Sequence, residues 1–593
     1  MVPDVATILD RYSKDRTDLI DILWDVQHRY GHIHQDAVRA VADQLGLAPG
    51  DVMETASFYH FFHTEPTGRY RIYLSDNVIA KMYGFQQVRD ALERRTAARF
   101  GGPGTAEFSL FETACIGLSD QEPTMLIDGV VFTRLTPESV TDIISRLQQG
   151  QSPEEIANPS ALPRSDVAYV EALINTTVHT AGPVFFSDEP DYEALLDRCL
   201  ALTPEQVIAT ITDSRLHGRG GAGFSTGSKW QLCREAADDE KYVICNADEG
   251  EPGTFKDRVL LTRTPKQVFV GMIIAAHAIG AAHGIVYLRA EYAYLRAYLE
   301  QQLTELRDGG LLADGFDIRI TMGAGSYVCG DETALIESCE GKRGTPRLKP
   351  PFPTEHGFRG KPTCVNNVET FAAAARVMEL GADWYAAMGT PGSSGTRLLS
   401  VAGDCTAPGI YEFEWGVTLR EVLEVVGARD ARAVQLSGPS GEMVSVAADA
   451  DRRLAHEDLS CNGSFMVFNA QRDLLGVVRD FMQFFVDESC GICVPCRVGN
   501  VVLRQKVDLV IDGMASQSDL DDMLQWSGVI ARTSRCGLGT SSPNPILTTL
   551  EKFPDEYYRR LHDQTGDVLP SFDIEDALGG YGAAMRQLEQ ESR

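Results

Sequence analysis

Basic residues are scarce in this sequence of 593 residues. Lysine and arginine together number 54, against 84 aspartates and glutamates, so the formal net charge is -30 at pH 7. A protein that binds a phosphate backbone needs a basic face, and this balance therefore argues against nucleic acid as a partner. An acidic surface of this kind commonly serves solubility.

Long hydrophobic runs are nearly absent as well. The strongest candidate, "VFVGMIIAAHAIGAAHGIVYL" at 268–288, contains His277, His283 and three glycines, and it indicates a buried helix followed by a buried strand. The first residues, "MVPDVATILDRY", have neither the basic nor the apolar region of a signal peptide. We therefore expect a cytoplasmic protein without membrane insertion.

Thirteen cysteines are present, and in a reducing compartment a cluster of them indicates metal rather than disulfides. Cys490, Cys493 and Cys496 follow one another at two-residue gaps in "ESCGICVPCRVG", and Cys536 in "TSRCGLG" is the only later cysteine. Three closely spaced cysteines and one remote one form the arrangement expected of a cubane [4Fe–4S] cluster. Zinc sites usually pair two Cys-x2-Cys knuckles; zinc and inert thiols stay open as alternatives.

The hydrophobic period changes several times along the chain, which predicts an α/β protein of several domains. The predicted divisions are a helical region 1–68, a small α/β domain 69–147, a polar linker 148–165, a strand–helix domain 166–395, a β-rich insert 396–470, and a helical domain with a C-terminal tail, 471–593.

A glycine-rich segment, "RLHGRGGAGFSTGSKW", spans 215–230. Gly218, Gly220 and Gly223 match the dinucleotide pattern, but the preceding "TPEQVIATITDSR" has a helical period, so the strand required by an ordinary Rossmann site is missing. The glycines would still let backbone amides approach a phosphate or a flat ring, beside the positive charges of Arg219 and Lys229. A purely structural loop is the alternative.

Two further segments are rich in carboxylates and amides. "NADEGEPGTFKDR", 246–258, follows a predicted strand, where an open α/β sheet usually binds its ligand. Carboxylates there suit hydroxyl and carboxamide groups, although a solvated loop is the alternative. In "GAGSYVCGDETALIESCEG", 323–341, Asp331 and Glu332 at a helix N-terminus would repel an extra phosphate. Asn366 and Asn367 are a helix N-cap or polar ligands.

These motifs strongly resemble the NADH-oxidising flavoprotein subunit shared by respiratory complex I, NAD-reducing nickel–iron hydrogenases and NAD-linked formate dehydrogenases. The resemblance covers about 200 to 550, including "KPPFP" and "NNVET". It implies a Rossmann-like α/β domain that binds FMN, with NADH stacked on the flavin. It also implies a ubiquitin-like β-grasp insert and a C-terminal helical bundle that carries the [4Fe–4S] cluster.

The resemblance also implies site residues. Those expected to hold FMN are Gly218, Arg219, Gly220, Lys229, Asn246, Asp248, Asn366 and Asn367. Those expected to face NAD(H) are Phe224, Glu249, Glu251, Tyr327, Glu332 and Phe352, with Glu251 and Tyr327 as catalytic residues. The cofactor site extends to Gly221, Gly223, Gly330 and Asp331, and the cluster ligands are Cys490, Cys493, Cys496 and Cys536. Gly250 departs from the family, where serine is common; we expect no loss of chemistry.

Residues 4–147 resemble the family's small thioredoxin-like subunit, which normally binds a [2Fe–2S] cluster through four cysteines. The corresponding positions here are Ser75, Ala80, Cys115 and Ser119. One cysteine cannot hold such a cluster, so we predict a structural domain without iron. This fusion looks most like the flavoprotein (diaphorase, or alpha) subunit of a soluble NAD-reducing nickel–iron hydrogenase.

The predicted function is an NAD-dependent oxidoreductase. It exchanges hydride between NAD(H) and FMN and passes single electrons between FMN and the cluster, because a flavin can do both. The expected partners are an iron–sulfur diaphorase small subunit and nickel–iron hydrogenase subunits. The alternatives are the NADH dehydrogenase module of a complex I-like or formate dehydrogenase complex, and, in a different class, a zinc-stabilised scaffold without activity.

Overall fold

A computed structural model describes residues 3–312 and 315–562 of the chain. Its first part is helical, with Pro3–Leu9, Leu19–Tyr30, Gln35–Leu45 and Pro49–Phe58. Gly31 and Gly46 end two of these helices in the left-handed conformation that glycine adopts without strain. The helices pack against later segments: Trp24 Nε1 donates to Gly323 O at 3.1 Å, and Tyr59 OH donates to Ser338 Oγ at 2.9 Å.

A four-stranded mixed sheet follows. Its strands are, in spatial order, Phe108–Thr113, Tyr70–Ser75, Met125–Ile127 and Val130–Phe132, the first pair parallel and the others antiparallel. Its helices are Val78–Met82, Phe85–Thr96 and Pro137–Gln148.

The segment 148–165, predicted to be a linker, contains the short helix Pro153–Ala157, whose Ile156 is buried. Ser152 Oγ accepts from Glu155 N at 3.2 Å, and Ser152 N donates to the Glu155 carboxylate at 2.8 Å. The sequence "SPEE" contains this capping box, but the surrounding prolines favour a loop and therefore predict a linker.

The central domain is built on a parallel sheet. Its strands are, in spatial order, Asp317–Met322, His283–Leu288, Tyr242–Ala247 and Thr363–Asn367. The accompanying helices are Val167–Leu173, Tyr192–Leu200, Pro204–Asp213, Thr226–Glu235, Lys256–Arg263, Pro265–Ile279, Arg296–Asp308, Glu332–Cys339, Pro353–His356, Val368–Leu380 and Ala382–Ala386. The buried helix and strand predicted within 268–288 are both present.

The insert forms a six-stranded sheet. The spatial order is Glu442–Ser445, Ala431–Leu436, Ser464–Asn469, Thr396–Gly403, Gly409–Glu414 and Val178–Thr180, and its helices are Leu419–Val425 and Val446–Asp449. The last strand comes from far earlier in the chain. Glu412 secures the segment after it, because its carboxylate accepts from the backbone amides of Gly182, Val184 and Phe185.

The last part is again helical. Its helices are Leu474–Asp487, Val494–Ile511, Gln517–Thr533, Gly537–Ser541, Asn544–Lys552 and Pro554–Tyr558. The predicted C-terminal tail from 563 onward lies outside the described residues. No single helix among those described is long and apolar enough to cross a membrane, and one pair, Lys256–Arg263 with Pro265–Ile279, passes that test only as a unit bent by 95°. The α/β multidomain class is as predicted.

Candidate flavin, nucleotide and iron–sulfur sites

The glycine-rich loop is a closed turn. Gly218 N donates to Phe224 O at 2.8 Å, and Ser225 caps the helix Thr226–Glu235 that follows. Gly221 and Gly223 have φ of 135° and 61°, where a side chain would be strained. A Cβ on Gly220 would lie 3.1 Å from Cβ of Asn367. The segment before the loop is the helix Pro204–Asp213, so the ordinary Rossmann arrangement is indeed missing.

The predicted role of the Arg219 side chain is not supported by its direction. The guanidinium is buried, donates to Tyr385 OH at 2.6 Å and Ser394 O at 3.0 Å, and lies over the Trp415 ring. The positive charge of Arg219 therefore lies in the protein interior beneath the glycine loop, and not at the exposed side of that loop. A sequence pattern cannot reveal this, because it fixes which residues are near a loop but not which way a long side chain turns.

A network of two lysines and a carboxylate lies beside this loop. Lys229 Nζ and Lys349 Nζ each lie 3.1 Å from a different oxygen of Glu332. Burial alone would raise the pKa of Glu332, but the two ammonium groups outweigh it and lower that pKa. Lys349 was missed in the sequence, although it begins the quoted "KPPFP". Two exposed rings, Phe224 and Phe352, are available for stacking, with half of each side chain accessible.

Polar groups converge where the parallel strands end. Asn246 Nδ2 donates to Gly330 O at 2.8 Å, which ties two strand-end loops together. Asp248 Oδ2 is buried and has no hydrogen-bond partner among the described residues. Burial raises the pKa of Asp248 well above its usual value, while Arg289 opposes this. A buried carboxylate oxygen without a donor is the feature expected where a bound group supplies one, so this site fits a flavin.

The two asparagines after the last strand have different partners. Asn366 Oδ1 accepts from Trp230 Nε1 at 3.0 Å. Asn367 caps the helix Val368–Leu380 through Glu369 N, and its Oδ1 also accepts from Lys256 Nζ at 3.2 Å. Asp331 likewise caps the helix Glu332–Cys339. Asn367 is therefore a helix N-cap, one of the two roles predicted for it, and Asp331 is a helix N-cap as well.

The Glu249 side chain, predicted to face the nicotinamide nucleotide, is turned toward the N-terminus of a neighbouring helix. The carboxylate is buried and accepts from Asp257 N at 2.9 Å, Arg258 N at 3.2 Å and Tyr292 OH at 3.0 Å. The physical reason is the N-terminus of the helix Lys256–Arg263, whose free amides attract a carboxylate. Glu249 thus shapes the turn that carries Glu251.

Glu251 and Tyr327, the predicted catalytic pair, are in contact. Tyr327 OH donates to Glu251 Oε2 at 2.5 Å, and Ser440 N of the insert donates to Oε1 at 2.9 Å. Burial raises the pKa of Glu251 to about 7, although both hydrogen bonds favour its ionised form. Ser440 was not identified from the sequence, because it lies 189 positions later in the chain.

The four predicted cluster ligands line one cavity. Cys490, Cys493, Cys496 and Cys536 share it with Val328 and Pro346, in about 280 Å³ that includes space open to solvent. Cys493 and Cys536 are the N-cap residues of the helices Val494–Ile511 and Gly537–Ser541, and burial raises the pKa of Cys536 to about 12. Ser489 Oγ lies 3.3 Å and Asn500 Nδ2 3.5 Å from the sulfur of Cys496. The remote cysteine is therefore brought to the other three.

Comparison with known proteins agrees with this geometry. Three family profiles match: "Nuo51 FMN-binding domain" at 211–376, "Thioredoxin-like [2Fe-2S] ferredoxin" at 5–148, and "NADH-ubiquinone oxidoreductase-F iron-sulfur binding region" at 476–560. The NAD-reducing hydrogenase HoxS subunit alpha of Cupriavidus necator is 66% identical over 99% of both chains. The chain belongs to this family of hydrogenase alpha subunits.

Other relatives share parts or all of the fold. A crystal structure of an NAD+-reducing [NiFe]-hydrogenase in the H2-reduced state contains a chain with a TM-score of 0.87 and 39% identity, covering 98% of this chain and 97% of that one. The NADP-reducing hydrogenase subunit HndC of Solidesulfovibrio fructosivorans is 41% identical over 63% of this chain and 81% of its own length. One subunit of the NADH-quinone oxidoreductase of Mycobacterium tuberculosis is 39% identical over 65% of this chain and 90% of its own length.

An iron–sulfur region, rather than a zinc site, is therefore present, and the recognition from motifs is confirmed. Among the described residues, no three His, Cys, Asp or Glu side chains are arranged to hold a single metal ion.

In the matched thioredoxin-like region, a polar network surrounds the positions predicted to correspond to the family's four cluster cysteines. Ser75, Ala80, Cys115 and Ser119 are all buried. Glu122 accepts from Ser75 Oγ and from Thr124 Oγ1, each at 2.9 Å. Burial raises the pKa of Glu122 to about 7.

Proposed function

We propose that the chain exchanges hydride between NAD(H) and bound FMN and exchanges single electrons with a [4Fe–4S] cluster on Cys490, Cys493, Cys496 and Cys536. This couples NAD+ reduction to hydrogen oxidation in a nickel–iron hydrogenase complex. When bound, FMN supplies both two-electron hydride chemistry and one-electron exchange. The residues of this chain bind, orient and shield the reacting groups.

The short helical turn Tyr327–Gly330 carries this proposal. Tyr327, its first residue, contacts Glu251 through its hydroxyl, and Gly330, its last residue, accepts through its carbonyl from Asn246. Both contacts belong to the strand-end site, the polar groups that converge where the parallel strands end. Between them, Val328 lines the cavity of the four cysteines. The strand-end site and the cysteine cavity therefore adjoin across a single turn, which is what direct electron exchange between them requires.

Each group in the strand-end site has a role in this proposal. Backbone amides of the glycine loop would hold the flavin, and Asp248 Oδ2, which is buried without a partner among the described residues, would accept a hydrogen bond from it. Glu332, held ionised between Lys229 and Lys349, accepts from ribose hydroxyls of the nucleotide. Phe224 and Phe352 stack on its rings.

We place the chain in the cytoplasm, together with an iron–sulfur diaphorase small subunit and nickel–iron subunits. None of the thirteen cysteines, all of which lie in the described part of the chain, is paired in a disulfide, as expected in a reducing compartment. The rival complex I-like module has less support, because the matching respiratory subunits cover only about two thirds of this chain, whereas HoxS subunit alpha covers 99%.

The test uses the purified complex under anaerobic conditions. We expect bound FMN, bleaching of its absorbance by NADH in a single turnover, and formation of NADH from NAD+ under hydrogen. A complex that contains flavin but shows no bleaching with NADH would contradict the proposal, and NADPH serves as the matched control nucleotide.

A further inference from the structure

One loop of the thioredoxin-like domain, which contains two of the positions that correspond to the family's cluster cysteines, is in close contact with the central domain. This remnant loop, residues 115–120, begins at Cys115, whose carbonyl accepts from Arg289 Nη2 at 2.8 Å. Two residues on, Gly117 O accepts from Arg258 Nε at 2.9 Å. Asp120 lies 3.5 Å from the same arginine. Both arginines are buried, so these contacts are inside the protein.

The same two arginines also hold the turn at Glu249. Arg289 Nη1 donates to Glu249 O, and Arg258 N donates to the Glu249 carboxylate at 3.2 Å. Tyr292, whose ring lies beneath Arg289, donates its hydroxyl to that carboxylate at 3.0 Å. One residue after Gly250 comes Glu251, the residue we place at the nicotinamide.

Gly117 of the remnant loop lies directly against Tyr292 of this network. Its φ is 74°, and a Cβ there would overlap the hydroxyl and the ring of Tyr292. Any side chain at position 117 must therefore displace Tyr292 or open the loop. The contact is built around a residue that has no side chain, directly against a group that supports Glu249.

We propose that the remnant loop of the clusterless domain is a positioning element for nucleotide binding. Through Arg289, Arg258 and Tyr292 it sets the conformation of the Glu249–Glu251 turn, so that Glu251 meets the nicotinamide. The domain thus retains a function after losing its iron. This inference rests on the proposed nucleotide site, and it adds that residues of another domain determine how well that site binds NAD+.

The test compares two glycine substitutions in the intact complex. Gly117→Ala pushes on Tyr292, whereas the control Gly129→Ala, in the same domain and also at positive φ (83°), places its Cβ in open space. Both substitutions place a side chain at positive φ and therefore introduce backbone strain, but only Gly117→Ala contacts Tyr292. Three quantities are measured: the dissociation constant for NAD+ by calorimetry, FMN content, and the thermal unfolding midpoint.

We expect Gly117→Ala to weaken NAD+ binding by roughly fivefold or more, on the scale of losing a buried hydrogen bond and its geometry. FMN content should match that of Gly129→Ala, whereas the unfolding midpoint should be lower, because Tyr292 is displaced from a buried position. The two dissociation constants are compared well below both midpoints. Equal NAD+ affinity in the two variants would overturn the inference. Failure of the unsubstituted complex to be bleached by NADH would instead overturn the proposed function.

A second variant covers the case in which Gly117→Ala does not fold. Tyr292→Phe removes only the hydroxyl on Glu249, and we expect it to weaken NAD+ binding roughly threefold. If both variants fold, the double variant should bind NAD+ as Gly117→Ala does, because both act through one contact. Unchanged affinity in Tyr292→Phe, or fully additive effects in the double variant, would contradict the proposed path.

Discussion

Glu251 is fixed by donors from two distant parts of the chain, Tyr327 OH and Ser440 N. Burial raises its pKa from 4.5 to about 7, so it is mostly neutral below that pH and mostly ionised above it. Hydride loss from NADH creates a positive nicotinamide ring. An ionised Glu251 beside it should therefore favour NAD+ over NADH.

The affinity for NAD+ relative to NADH should then rise with pH through about 7. We expect a roughly fivefold change between about pH 6 and about pH 8, the lower end of a typical coupling between two charges. Glu251→Gln cannot ionise and should show a flat ratio. Titration calorimetry at each pH measures this, with NAD+ added to the oxidised complex and NADH added to the complex whose FMN has been reduced beforehand, so that neither nucleotide reacts. If the ratio of the NAD+ and NADH affinities still depends on pH in Glu251→Gln, ionisation of Glu251 is not the cause of that dependence.

Glu332 is the second residue with a distinct prediction. Its carboxylate is ionised between Lys229 and Lys349, and a 2′-phosphate of NADP would meet that charge in a partly buried pocket. We predict a preference for NAD that Glu332→Gln relaxes by ~1–3 kcal/mol. The two freed lysines should then attract the phosphate.

The measurement is kcat/KM for NADH and NADPH with an artificial acceptor. Glu337→Gln is a matched control, because Glu337 lies in the same helix and also pairs with two cations, Arg347 and Lys342. It should leave the preference unchanged. Equal use of both nucleotides by the unsubstituted chain would show that Glu332 does not discriminate.

Motifs predict which loops contain the candidate site residues, but they do not predict the directions of the side chains. The Arg219 guanidinium lies over the Trp415 ring, and the Glu249 carboxylate accepts from amides at a helix N-terminus. Those directions depend on helix ends and rings far away in sequence. Lys349 and Ser440 were missed for the same reason: their neighbours at the site are set by tertiary packing.

At the scale of elements, strand ends and helix starts carry the chemistry. The loops after Tyr242–Ala247 and Asp317–Met322 meet because the strands are parallel, which the alternation of strands and helices had indicated. The pairing of Val178–Thr180 with the insert was not predictable, since three residues carry too weak a pattern against a partner more than 200 positions away.

The thioredoxin-like domain yields a prediction about iron. The positions that correspond to the family's four cluster cysteines are Ser75, Ala80, Cys115 and Ser119, which include a single cysteine. We expect about four irons per chain, all of them in the C-terminal cluster. Cys115→Ala should keep the full iron content, and Cys496→Ala should lose most of it.

Iron analysis of the isolated chain after anaerobic reconstitution, together with its visible spectrum, measures this. Cys115 and Cys496 are both buried, which makes the pair a fair comparison. About six irons per chain, or loss of iron in Cys115→Ala, would show that the thioredoxin-like domain binds a cluster after all.

At the scale of the whole molecule, nucleotide chemistry and electron exit occupy separate regions that meet at Tyr327–Gly330. The strand-end site is built from 215–370 and the insert, whereas the four cysteines belong to the C-terminal helices and to the turn before Gly537. The strand-end site should therefore react with NADH for a single turnover even when the cluster is disturbed. Substituting a cluster ligand separates the nucleotide chemistry from electron exit.

Cys536→Ser is the most direct test, because serine is a poorer ligand for iron than thiolate. We predict that a folded, FMN-loaded Cys536→Ser complex is still bleached by NADH in a single turnover. Its electron transfer to the partner subunits should fall by roughly 10–100-fold or more, at least the loss typical of disturbed metal surroundings.

The half-buried Cys405→Ser, in the insert, serves as the control for losing a thiol. Circular dichroism and flavin content establish that both variants are folded and loaded. The decisive measurement is the rate at which NADH reduces the partner subunits in Cys536→Ser relative to Cys405→Ser. The account predicts a collapsed rate with normal flavin bleaching; equal rates in the two variants would contradict it.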